Sequence, residues 1–248
     1  MNNKNILQNH NEVQILLPTA SCEKIYRFTN ESTKNKHTTI VLKRVLIGFS
    51  GIVNNLWRYQ LICLDYEIEA KHLASTTILR KVNNVFNELK VYVNQNGTIM
   101  SIINLKQLRE RWQNAKEELL QVNEGSTLLD FLSDTDELLE NETELLKFVS
   151  SKEMYGLYFN SCWGYHDVNK PRFEGLEINI EKRVLYDQHT QHLQKPYSQD
   201  ATLILKSCKD KKQKESEFKY KNNQLQEAFL EINSPTKTSK YSIICLTT

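Results

Sequence analysis

The clearest strand pattern in the chain is Trp57-Arg-Tyr-Gln-Leu-Ile-Cys-Leu-Asp-Tyr-Glu-Ile-Glu69, which alternates at its C-terminal end. The apolar positions are Ile62, Leu64, Tyr66 and Ile68, and they alternate with the acidic residues Asp65, Glu67 and Glu69. Because successive side chains of a strand point to opposite faces, this period of two predicts an antiparallel strand with one face in water.

Further strands are predicted on both sides of this segment. Short apolar or β-branched runs at residues 25–28 and 38–49 precede it. In the C-terminal third, Leu176, Ile178 and Ile180 alternate, and further strands are predicted at residues 202–206, 218–221, 228–232 and 241–246. The two ends of the chain are therefore rich in strands.

The middle of the chain has helical spacing. Ser75 begins one predicted helix, and Asn104 caps a second with apolar positions Leu105, Leu108, Trp112, Ala115, Leu119 and Val122. Between them, Asn96-Gly97 predicts a hairpin over residues 91–102 with a type I′ turn, which needs positive φ at both central residues. Residues 125–160 predict two or three short helices.

This order of elements predicts an α+β fold. Strands over residues 1–70 and 172–248 form one antiparallel sheet, and the segment over residues 75–165 packs against it. No internal repeat or linker divides the chain, so residues 1–248 are expected to form one domain. A boundary near Lys170-Pro171 is the alternative.

Composition excludes several functional classes. The net charge is only +2, from 32 basic and 30 acidic residues, so nothing favours binding to nucleic acid. No signal peptide is evident and no apolar stretch is long enough to enter a membrane. Five widely spaced cysteines without a C-x-x-C pair are typical of a reduced, cytoplasmic protein.

Known catalytic and cofactor motifs are missing, so neither a cofactor nor a catalytic residue is predicted. Two loose pairs, Cys162 with His166 and His189 with His192, have spacings that could place each pair on one helical face. A zinc site needs three or four ligands at recognisable spacing, so no metal site is assigned unless these pairs converge.

Two neighbouring segments could carry binding. Residues 124–144 contain many acidic residues, no lysine or arginine, and interleaved leucines. This pattern is typical of solvated acidic helices, or of a surface that docks a basic partner. The candidate residues there are Asp134, Asp136, Glu137 and Glu140.

The second segment, residues 154–165, is densely aromatic, with Tyr155, Tyr158, Phe159, Trp163 and Tyr165. Tyrosine and tryptophan combine a large apolar area with a polar atom, which suits an interface or a pocket. The same pattern also fits a helix buried under the sheet.

One longer stretch resembles a known group of sequences. Val91-Tyr-Val-Asn-Gln-Asn-Gly-Thr-Ile99, then Ile103-Asn104, Leu108-Arg-Glu-Arg-Trp112 and Lys116, is similar to uncharacterised proteins from Bacteroidetes bacteria. An acidic helical segment and a Tyr-Phe pair, here Tyr158-Phe159, follow in that group, so the resemblance covers roughly residues 60 to 160. Some members lie near genes for type VI or related contractile secretion machines, which implies an accessory, adaptor or immunity role.

Three functions remain open from the sequence. The first is a non-enzymatic intracellular interaction protein, such as an adaptor, chaperone or structural accessory, with another protein as its partner. The second is a binding protein for a small apolar ligand in a pocket between sheet and helices. The third is a metal-dependent enzyme of unfamiliar type. An exposed aromatic patch would favour the first, and an enclosed apolar cavity would favour the second.

Overall fold

The computed structural model describes residues 12–35, 37–70, 76–122, 125–159, 163–167, 181–184, 202–209, 214–221 and 224–247. The strands are β1 (Glu12–Ile15), β2 (Cys22–Lys34), β3 (His37–Val53), β4 (Leu56–Ala70), β5 (Glu88–Val93), β6 (Ile99–Ile102), β7 (Gly164–Asp167), β8 (Glu181–Val184), β9 (Thr202–Lys209), β10 (Lys214–Lys221), β11 (Gln224–Asn233) and β12 (Lys237–Cys245). The helices are α1 (Thr76–Val85), α2 (Leu105–Val122), α3 (Ser126–Glu140), α4 (Glu142–Val149) and α5 (Gly156–Phe159).

Ten of these strands form one antiparallel sheet in the order β6-β5-β4-β3-β2-β12-β11-β10-β9-β8. The central pair is β2 with β12, which joins the strands of the N-terminal block to those of the C-terminal block. The predicted antiparallel sheet in a mixed α and β protein is thereby confirmed. The remaining two strands, β1 and β7, form a separate antiparallel pair.

A bulge in β4 changes which of its residues face the core. Val45 pairs with Cys63 and Arg44 with Asp65, so Leu64 has no partner in β3. A bulged residue shifts the alternation by one position. The predicted apolar face is therefore wrong at Ile62 and Leu64: Leu64 is exposed, and the buried positions before the bulge are Tyr59 and Leu61.

The turn between β5 and β6 also differs from the prediction. The backbone N–H of Gly97 donates to the carbonyl of Asn94 at 2.9 Å, and the Asn94 side chain accepts from the backbone of Asn96 and Thr98. Gly97 has a positive φ of 80°, but Asn96 does not. The local side-chain bonds of Asn94 thus replace the type I′ geometry with a turn that needs glycine at one position.

The Asn104 side chain bonds to β5 instead of capping α2 as predicted. Its Oδ1 atom accepts from the backbone N–H of Lys90 at 2.8 Å, and its Nδ2 atom donates to the carbonyl of Glu88 at 2.9 Å. Asn104 is buried, and its side chain ties the start of α2 to β5. These bonds satisfy buried polar groups that water cannot reach.

Three predictions about elements and boundaries concern residues outside the described part of the chain. They are the start of the first helix at Ser75, the alternation at Leu176, Ile178 and Ile180, and the boundary at Lys170-Pro171. In the described part of the chain, no helix is both long and apolar enough to cross a membrane.

Candidate functional site

A cavity of about 220 Å³ lies on the core face of the sheet, over strands β2, β3 and β4. The segment that follows β1 covers one side of it, and the aromatic side chains of Tyr158 in α5 and of Trp163, just before β7, cover another. The lining residues are Leu16, Leu17, Pro18, Thr19, Cys22, Lys24, Tyr26, Ile47, Phe49, Tyr59, Tyr158, Trp163 and Gln224.

The register of the sheet brings the floor of this cavity together. Cys22 pairs with Phe49, and Phe49 pairs with Tyr59, so these three side chains form one row across the three strands. Lys24 pairs with Ile47 in the next row. Paired residues of an antiparallel sheet share a face, so residues far apart in sequence become neighbours.

The aromatic wall consists of rings in edge-to-face contact. The ring of Tyr158 lies 5.2 Å from that of Tyr26 and 6.0 Å from that of Trp163, between centroids. The Phe159 ring lies 5.2 Å from the Tyr59 ring. Edge-to-face pairs are a favoured aromatic geometry, so the wall has a defined shape.

Two further contacts hold Trp163 in place. Its Nε1 atom donates to the carbonyl oxygen of Tyr158 at 3.0 Å. Gly97, in the β5–β6 turn, packs so closely that a Cβ atom there would overlap the Phe159 carbonyl oxygen and the Cδ1 atom of Trp163. The turn and the aromatic wall therefore form one packed unit.

The most unusual group among the lining residues is the hydroxyl of Tyr59. This residue is 1% exposed, and its Oη atom has no hydrogen-bond partner among the described residues. A buried hydroxyl without a partner costs about 1–3 kcal/mol, so such groups are rare in folded proteins. In contrast, the hydroxyls of Tyr26 and Tyr158 hydrogen-bond to each other.

The phenols of Tyr26 and Tyr59 and the thiol of Cys22 are neutral at physiological pH. Burial raises the pKa of the Tyr26 and Tyr59 phenols, and the nearby Tyr158 raises both further. Burial also raises the pKa of the Cys22 thiol, although Lys24 partly opposes this. Protonated phenols and a protonated thiol donate hydrogen bonds but are poor nucleophiles and bases, so the cavity is suited to binding.

The predicted aromatic site residues are core residues. Tyr155, Tyr158, Phe159 and Trp163 are each at most 6% exposed, so they form no exposed patch. Tyr158 and Trp163 line the cavity. Tyr155 instead packs its ring 5.8 Å from that of Phe28. The backbone of Tyr165 pairs with Gln14, and its side chain lies outside the described residues.

The four acidic candidates divide into two groups. Asp134, Glu137 and Glu140 are exposed on α3. Asp136 instead accepts a hydrogen bond of 2.6 Å from Nε1 of Trp112 and forms an ion pair with Lys116. It therefore joins α3 to α2 and is not free for a partner.

The side chains of the four possible metal ligands are not among those that the structure describes. Cys162, His189 and His192 lie outside the described residues, as does the side chain of His166. Within the described ranges, no group of three or more histidine, cysteine or acidic side chains is placed to hold a metal ion.

Sequence reasoning missed most of the cavity floor, namely Cys22, Lys24, Tyr26, Phe49 and Tyr59. A signal was present, because Cys22, Lys24, Tyr26 and Phe28 occupy alternate positions of one strand. Their meeting with Tyr59 depends on the register between β3 and β4, which local sequence does not specify.

Comparison with known proteins identified no relative of this chain. No family model matches the chain, and no curated protein or solved structure shows significant similarity to it.

Proposed function

We propose that this protein binds a small, largely apolar molecule in the cavity over β2, β3 and β4. The observation that carries the proposal is the buried Tyr59 hydroxyl, which lacks a partner within the described residues and belongs to a residue of the cavity lining. A ligand with a hydrogen-bond acceptor would satisfy this donor, while its apolar part would contact the aromatic wall.

The size of the cavity limits the ligand. A cavity of about 150 Å³ lined by apolar side chains accommodates benzene. At about 220 Å³, the cavity fits a molecule somewhat larger than a single aromatic ring. It is smaller than the typical site of a drug-sized ligand, which is about 300–1,000 Å³.

We also propose that the central helical segment packs as a layer against the sheet. Ring contacts support it, because Tyr155 and Tyr158 lie against Phe28 and Tyr26 of β2. Such a layer would close the cavity on the side away from the sheet and exclude water from the ligand.

A cavity-filling substitution tests this function. Ile47→Phe places a larger side chain in the cavity, whereas Leu46→Phe places it on the opposite face of the same strand. Ligand-observed NMR with a set of small aromatic compounds is expected to show binding to the wild type and the Leu46 variant, but not to the Ile47 variant. Equal binding by all three folded proteins would contradict the proposal.

A second candidate function uses the surface of α3. Asp134, Glu137 and Glu140 are exposed, and Leu129 on the same helix is 56% exposed, as on a docking surface for a basic protein. This is the adaptor or accessory role, including one in a bacterial secretion machine, that the sequence resemblance implies. Affinity pull-down from the native cell with the three acidic residues changed to lysine tests it. Retention of every partner would exclude acidic docking.

A further inference from the structure

Lys24 occupies a position on the core face of the sheet that strand alternation normally gives to an apolar residue. It lies between Cys22 and Tyr26 along β2, and it pairs with Ile47, which is 3% exposed. Its side chain is half-buried and lines the cavity. A lysine is rarely placed on such a face unless a partner satisfies its charge.

The contacts of Lys24 with the described residues include no counterion. Its Nζ atom donates to the backbone carbonyl of Thr247 at 3.4 Å, which is a long and neutral hydrogen bond. Within the described ranges, no carboxylate lies at ion-pair distance from it. The neighbouring Glu23 points to the other face of the sheet, where its side chain packs over Gly48.

We propose that the ligand of this cavity is an aromatic carboxylate of one or two rings, with its carboxylate group bound by Lys24 and Tyr59. This inference rests on the proposed function, because it specifies the ligand of the same cavity. The Lys24 ammonium supplies the charge, and the Tyr59 hydroxyl donates a hydrogen bond to a carboxylate oxygen. The two donors lie on neighbouring rows of one sheet face.

The remaining walls favour an aromatic body over an aliphatic chain. The rings of Tyr26, Tyr158 and Trp163 contact one another edge to face, and Phe49 and Tyr59 extend the aromatic surface across the floor. A planar ring can make stacked or edge-to-face contacts with such walls. Hydrogen bonds between a charged acceptor and its donors are about twice as strong as neutral ones.

The second lysine on this face shows why Lys24 is the one that recognises the ligand. Lys43 is 7% exposed, its Nζ atom is covered by the Sδ atom of Met154, and it is not part of the cavity lining. The cavity lining therefore includes Lys24 and excludes Lys43.

Calorimetric titration with trans-cinnamate and its neutral amide, cinnamamide, tests the inference. The two probes have the same rings and nearly the same shape, and they differ in charge. We expect the wild type to bind cinnamate about tenfold more tightly than cinnamamide, which is the effect of one good charge-assisted contact. Lys24→Met should abolish this preference, and Tyr59→Phe should reduce it.

Lys34→Met is the matched control, since Lys34 is an exposed lysine on the same strand, and it should leave the preference unchanged. If the wild type bound both probes equally well and Ile47→Phe blocked both, the carboxylate inference would fail while the proposed function stood. If neither probe bound, and the compound set of the Ile47 experiment also failed to bind, both would fail. Thermal melting of each variant establishes that it is folded.

Discussion

The Nζ atom of Lys43 lies 3.4 Å from the Sδ atom of Met154, so a thioether covers a buried amine. The Tyr66 ring is its other neighbour, with 5.4 Å between Nζ and the ring centroid. Burial lowers the pKa of Lys43 to about 8, and the nearby Cys63 opposes this shift. A thioether is a weak acceptor and a ring face gives only a modest attraction, so neither replaces the lost hydration of an ammonium group.

Replacing Lys43 with methionine should therefore stabilise the protein at neutral pH. The pKa of Lys43 is lower in the folded state than in the unfolded state, so the unfolded state binds the proton more strongly. The wild type therefore gains stability as pH rises from about 8 to above 10. We expect Lys43→Met to raise the free energy of unfolding by up to about 3 kcal/mol at pH 7. Denaturant unfolding at pH 7 and pH 9.5 should show a smaller difference at the higher pH. A difference that does not change with pH would contradict this prediction.

The close approach of Gly97 to the aromatic wall gives a second prediction. Gly97 and Gly51 both have positive φ, but a Cβ atom at position 51 would meet no atom within 4 Å, whereas one at position 97 would overlap Phe159 and Trp163. Gly51→Ala should cost only the backbone strain, about 1 kcal/mol, and Gly97→Ala should cost at least about 3 kcal/mol. Chemical denaturation measures both, and equal losses would contradict the packing described here.

Removal of the hydroxyl should affect protein stability differently at two tyrosines. The Tyr59 hydroxyl has no partner in the described part of the chain, whereas that of Tyr241 donates to Oε1 of Glu153 at 2.7 Å. Tyr59→Phe should leave stability unchanged or raise it by up to about 1 kcal/mol, and Tyr241→Phe should lower it by about 1 kcal/mol. Thermal melting without ligand separates the two cases. A clear loss in the Tyr59 variant would show that its hydroxyl is already bonded.

Two of the three aspartates of α3, Asp136 and Asp134, should also differ in their contributions to stability. Burial pushes the pKa of Asp136 upward, but hydrogen bonds from Lys116 and Trp112 outweigh it and hold the pKa below its usual value. The ionised Asp136 carboxylate therefore stabilises the folded protein at neutral pH. This contribution to stability is lost as pH falls through the acidic range in which an aspartate becomes protonated. Asp136→Asn should cost about 1–2 kcal/mol at pH 7, and less at pH 3, while the exposed Asp134→Asn should change stability by less than about 0.5 kcal/mol. Urea titrations at both pH values measure these differences.

Local sequence determined the type of most elements of this protein. The alternation of Trp57–Glu69 and the apolar spacing after Asn104 correspond to β4 and α2, because periods of two and 3.6 follow from backbone geometry alone. The buried stripe of α2 contains Leu108, Trp112 and Leu119 as the pattern indicates, while Val122 at its end is exposed.

Tertiary structure alone decided which faces and which partners these elements use. The bulge at Leu64 depends on pairing with β3, and the capping role expected of Asn104 gave way to bonds with β5. The cavity brings Lys24, Tyr59 and Tyr158 together from three distant parts of the chain. Sequence spacing specifies which residues of a single strand share a face. The register between strands, and what packs over them, depends on the burial and hydrogen bonding of the whole sheet.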